Sequence, residues 1–96
     1  MNDELKRYIV TFRYQESGLG DIQALNSAMV AAGFTTTLND DEGKPHELGT
    51  NSFGLISALS PDDLQQQAVA AGESVLHQKP DVSVTTLDAF LRDAHL

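Results

Sequence analysis

Three histidines, six Lys and Arg and fourteen Asp and Glu are the charged or titratable groups with which this 96-residue chain could do chemistry. His46 stands in an irregular stretch near Lys44 and Asn51. An imidazole titrates near neutrality, so there it could move protons in phosphodiester cleavage; the alternative is a solvated loop side chain. His77 and His95 fall at the ends of expected helices, where the helix dipole accounts for them. No second histidine stands at metal-ligand spacing and cysteine is absent, so no metal site, thiolate nucleophile or disulfide is expected. The run Asp40-Asp41-Glu42 could hold a hard cation, but it lacks the alternate-residue spacing of an EF-hand and reads better as a solvated hairpin tip. Arg13 is a cation among apolar and aromatic strand neighbours. It either lies on an open sheet face or binds a phosphate there. Gly18 and Gly20 lack the third glycine of a dinucleotide loop, and no cofactor is expected.

The charge balance limits the partners. A formal net charge of −8 excludes a sequence-blind coater of DNA or RNA, whose affinity comes from counterion release by Lys and Arg. It equally opposes electrostatic attachment to an anionic membrane. The start, Met1 to Arg7, is charged and resembles neither a signal peptide nor a membrane span, so the cytoplasm is the expected compartment. Length and a hydrophobic content of 41% suit a single folded domain over residues 1–96.

The elements that must position these groups follow from periodicity. Tyr8, Val10, Phe12 and Tyr14 alternate with Ile9, Thr11 and Arg13, which predicts a strand whose aromatic face enters the core and whose other face stays open. Asp21 is expected to cap a helix with the stripe Ile22, Leu25, Met29 and Ala32, stopped at Gly33. Phe34, Thr36 and Leu38 are expected to share one face of a second strand. A turn over 39–43 then leads into an irregular return over 44–51, where Pro45 cannot donate to a ladder. A third strand is predicted over 52–59. Ser60, Pro61, Asp62 and Asp63 form a strong helix start, with Gly72 marking a possible break in the helix. Val82 and Val84 mark a last strand, and Thr86 caps a short terminal helix bearing Leu87, Phe90 and Leu91. The order is β-α-β-β-α-β. It predicts an α+β, ferredoxin-like domain: a four-stranded antiparallel sheet, helices on one face, and an appended C-terminal helix.

Three segments carry a resemblance. They are Tyr8-Ile9-Val10-Thr11-Phe12-Arg13-Tyr14, then Asp40-x-x-Gly43-x-Pro45-x-x-Leu48-x-x-Asn51-Ser52-Phe53, then Thr86-Leu87-Asp88-Ala89-Phe90-Leu91-Arg92. In this order and spacing the chain resembles the GhoS family, small endoribonuclease antitoxins of type V toxin–antitoxin systems. The resemblance implies a ferredoxin-like fold related in shape to the small CRISPR-associated endonuclease. It implies cleavage of the messenger RNA of a small membrane-damaging toxin, so the expected partner is that mRNA. A nuclease with one preferred transcript needs local cations rather than a basic surface. The family's basic residues on the first helix are missing here, and Asn26 stands where the most relevant arginine aligns. Arg13 occupies the position nearest the acidic residue that the CRISPR-associated relatives carry. Asn51, Ser52, Asp88 and Arg92 match, and Arg92 is the one matched cation.

Metal-free RNA cleavage needs a base, an acid and a cation. On this reading His46 transfers protons, Arg13 or Arg92 stabilises the phosphate, and Lys6, Arg7, Lys44 and Asn26 contact RNA. The competing reading is a binding or dimerisation module without nuclease activity. A homodimer would then form through a sheet edge or face, unless Lys6, Arg7 and Pro45 protect the edge.

Overall fold

Alternation along the first strand decides the layers of this molecule. The computed structural model describes residues 5–15 and 18–94. In chain order the elements are β1 (Lys6–Arg13), α1 (Leu19–Ala31), β2 (Thr37–Asn39), β3 (Pro45–Glu47), β4 (Ser52–Ser57), α2 (Pro61–Leu76), β5 (Asp81–Thr86) and α3 (Leu87–Ala94). The architecture is α+β with antiparallel pairing throughout. Strand β1 lies between β4 and β5, with Val10 opposite both Phe53 and Val84.

Tyr8, Val10 and Phe12 enter the main core with Leu25 and Met29 of α1, and with Leu64, Ala68 and Leu76 of α2. The rings of Phe12 and Phe53 meet edge to face, with centroids 5.8 Å apart. The opposite face is not open. Ile9 is 0% exposed and packs with Leu38, Leu48 and Leu87, flanked by Phe90 and Leu91. The β2–β3 hairpin and α3 therefore cover the side of the sheet expected to face water. Beyond Ile9 that face turns polar: Thr11 and Ser52 share a hydrogen bond of 3.1 Å, and Arg13 is exposed.

The expected four-stranded sheet is instead a three-stranded sheet, β4-β1-β5, beside a separate two-stranded sheet, β2-β3. The cause is a change of side. Phe34 belongs to the main core, whereas Leu38 belongs to the small core around Ile9. A straight strand would put both on one face, so the chain must bend between them. Among the described residues, the bridge to β4 is made at Thr35, which exchanges backbone hydrogen bonds of 2.8 and 2.7 Å with Gly54. Gly54 is where the crossing comes closest. A Cβ there would lie 2.5 Å from Leu38 Cγ.

The return over 44–51 is more ordered than expected, because Pro45 begins β3. Ladder bonds fall at Asp40–Lys44 (2.9 Å) and Thr36–Leu48 (3.1 Å). Asn39 and Pro45 thus form a pair from which the ladder needs no N–H. Lys6 and Arg7 do not guard an edge, since β1 is the central strand.

Helix α2 starts as its sequence dictates: Ser60 Oγ accepts from the backbone N–H of Asp63 at 3.2 Å. It runs unbroken through Gly72, where a Cβ would meet Phe12 Cε2 at 2.7 Å, so the glycine is there to admit a ring. His77 ends the helix in the left-handed conformation (φ 57°), a role beyond the dipole. Helix α1 begins earlier than expected, capped at Gly18, and Asp21 lies in its first turn. Thr86 Oγ1 accepts from the Ala89 N–H at 3.3 Å and so caps α3. His95 lies outside the described residues. Among the described residues, no helix is long and apolar enough to cross a membrane.

Candidate functional site

The hairpin tip is built around one carboxylate. Asp40 Oδ1 accepts from the backbone N–H groups of Glu42 (2.9 Å) and Lys44 (3.0 Å), while Gly43 takes a positive φ of 80°. Its other oxygen, Oδ2, lies 2.9 Å from His46 Nε2. His46 pairs across the hairpin with Leu38, so both side chains project toward the sheet, and the imidazole is half-buried. Hydrogen bonding holds the Asp40 carboxyl below the usual carboxylate range, first through His46 and then through the Lys44 amide. Asp41 points elsewhere and accepts from Arg7 Nη1 at 2.6 Å. The acidic run is thus not a merely solvated tip. Asp40 organises the turn, and Asp41 ties it to the start of β1. Among the described residues, no three His, Asp or Glu side chains are grouped to hold a metal ion.

A carboxylate on one ring nitrogen fixes the orientation of an imidazole. In His46 this leaves Nδ1, with no protein partner among the described residues, as the atom able to exchange a proton. His46, Arg7 and Lys44 are the expected site residues that the fold brings to one place. Lys6, beside Arg7 on β1, is exposed. Arg13 is not part of this group. It ends the same strand on which Arg7 stands near the start, about 20 Å away along an extended chain, with Asp81 as its cross-strand neighbour. Arg92 is exposed on α3, the helix that packs through Phe90 and Leu91.

Asn26 lines a different feature, a groove of about 690 Å³ between α1 and the base of the hairpin. Gln23, Asn26 and Ser27 come from α1, Thr37 and Glu47 from the hairpin, and Asn51 from the approach to β4. Thr37 and Glu47 are cross-strand partners, so the groove lies on the opposite face of the hairpin from His46. Asn51 is held in a left-handed conformation (φ 66°). Its Oδ1 accepts from the Tyr14 hydroxyl at 2.9 Å, and its carbonyl from the Phe12 N–H at 2.9 Å. Among the described residues, no Lys or Arg lines the groove. Sequence reading missed Gln23 and Glu47. The available signal was the polar set at 23, 26 and 27, one helical face apart from Leu25 and Met29.

The family model for Endoribonuclease GhoS matches residues 1–93. The chain belongs to the GhoS endoribonuclease family. It is also similar to YdiZ of Escherichia coli strain K12 and of Escherichia coli O157:H7. Each is 39% identical over 83 residues, covers 86% of both chains, and is described as uncharacterized. Within this GhoS-family chain, the half-buried His46–Asp40 pair and the polar groove around Asn26, with Glu47 on its wall, are two separate chemical environments, divided by one hairpin.

Proposed function

We propose that this chain is an endoribonuclease antitoxin that acts in the cytoplasm on the messenger RNA of a small membrane-active toxin. Family membership over residues 1–93 carries the reading, and the 2.9 Å contact between His46 and Asp40 supplies its chemistry. His46 Nδ1 accepts the proton of a ribose 2′-hydroxyl. The 2′-oxygen attacks the adjacent phosphorus, the bond to the 5′-oxygen breaks, and that oxygen takes a proton from solvent, leaving a 2′,3′-cyclic phosphate. Asp40 is a positioning residue that holds the ring. Lys44 and Arg7 are the nearby cations for the developing phosphorane charge. On this reading the domain is ferredoxin-like, with its outer strand peeled into the β2–β3 hairpin.

The test is cleavage of a toxin transcript by the purified chain, with and without EDTA. His46→Ala should lower the rate about 10²-fold or more, and an unchanged rate removes His46 from the mechanism. No cleavage by the wild-type chain, with or without added divalent cations, overturns the nuclease reading. That second result would favour a binding or dimerisation module. Two observations already lean that way: Arg7 is paired with Asp41, and among the described residues no cation lines the groove beside Asn26.

A further inference from the structure

The geometry points to the groove between α1 and the hairpin as a nucleobase site that selects guanine through Glu47. This inference deepens the RNA reading and rests on it.

The walls decide the class of ligand. A phosphate site needs Lys, Arg or a fan of backbone N–H groups at its centre. Among the described residues no Lys or Arg lines the groove, and its one charged side chain is the carboxylate of Glu47. The groove therefore repels the RNA backbone and accepts an uncharged, hydrogen-bonding portion of it. Its volume of about 690 Å³ is in the range that holds small organic ligands, roughly 300–1,000 Å³. Gln23 and Asn26 each offer an amide donor and acceptor, and Ser27 and Thr37 offer hydroxyls. Unpaired RNA bases are read on just such polar edges once they leave the stack.

The carboxylate then ranks the bases. Guanine presents N1–H and N2–H side by side, a pair that matches the two oxygens of Glu47, while its O6 and N7 accept from an amide N–H. Adenine and cytosine offer one amino group each. Uracil offers a single N–H between two carbonyls, which a carboxylate repels. Glu47 is exposed and stands on a hairpin whose inner face is fixed by Leu38, so the carboxylate is free to meet a ligand from a held backbone.

The experiment is an NMR titration of the intact chain with guanosine, adenosine, cytidine, uridine and guanosine 5′-monophosphate. Amide shifts should cluster at residues 23–27, 37, 47 and 51. Guanosine should bind about tenfold or more tighter than uridine, in line with a bidentate pair, and the 5′-phosphate should add no affinity. Glu47→Gln should abolish the preference while its spectrum elsewhere stays that of the wild type. Equal binding of the four nucleosides, tighter binding of the monophosphate, or a preference that survives Glu47→Gln would overturn the inference. The two levels separate cleanly. Transcript cleavage without base selectivity defeats the groove assignment alone. Guanosine selectivity without any cleavage defeats the nuclease reading and leaves the groove a base-binding site.

Discussion

Replacing Gly54 by alanine should loosen the hairpin that carries both His46 and Glu47. The backbone at 54 is open to any L residue, since its φ is not positive. On chain entropy alone the change would stabilise the fold by about 0.5–1 kcal/mol. Packing opposes it. The new Cβ would lie 2.5 Å from Leu38 Cγ, 2.6 Å from Leu38 Cδ1 and 3.0 Å from Leu48 Cδ1. The nearest atom is the branch point of a buried leucine, so turning a methyl does not relieve the contact, and the hairpin itself must lift. Overpacking of this kind costs about 1–3 kcal/mol. Because a branch carbon is struck, the upper part of that range applies and the net loss is about 1–2 kcal/mol, which lowers Tm by roughly 4–16 °C in a domain of this size. Thermal unfolding followed by circular dichroism measures it. The same substitution in a Leu38→Ala background lacks both leading contacts, so most of the added loss should vanish there. An unchanged or raised Tm for the single variant, or an equal loss in both backgrounds, would refute the argument.

Ser60→Ala should cost about 1 kcal/mol by removing the side-chain acceptor of the Asp63 N–H, read as a lower urea midpoint at constant slope. Gly72→Ala sets a helix-propensity gain of about 1 kcal/mol against overpacking of about 1–3 kcal/mol. With Phe12 Cε2 at 2.7 Å and Pro80 Cγ at 3.2 Å from the new Cβ, the melting temperature should fall, and a rise would show that the ring gives way freely. The Asp40 carboxyl titrates below its unfolded value, so its contribution is complete above the unfolded range, roughly pH 4, and drains away as pH falls through the lower folded value. Carbon-13 titration of Asp40 should show that low midpoint in the wild type and an upward move in His46→Ala; identical midpoints would remove His46 as the main cause.

Local rules carried the parts of this fold that are locally determined. Ser60 and Pro61 announce a helix start whatever surrounds them, and the alternation of Tyr8, Val10 and Phe12 marks a buried strand face. Periodicity is silent on what covers the other face. Ile9 looked solvent-facing because the apolar stripe of α3 and the apolar positions of the hairpin gave no hint that they would meet over it. Period two also placed Phe34 and Leu38 together, and nothing local reports that the chain bends between them to serve two cores. Gly72 read as a helix breaker because its reason, the ring of Phe12, is sixty positions away in the chain. At the site, His46 was legible as a residue type, whereas its orientation by Asp40 depends on the turn closing. Arg13 drew attention as a lone cation, and only the strand's direction shows that it points away from the histidine's end.

The small core around Ile9 makes the last helix and the hairpin tenants of a single foundation. Leu87 from one and Leu38 and Leu48 from the other rest on the same isoleucine, although some forty residues of chain separate them. Clipping the tail, or drawing it off with a binding protein, would uncover that isoleucine and unseat the hairpin. Helix α3 thereby serves as a distant clamp on the hairpin that carries the histidine and the groove wall alike.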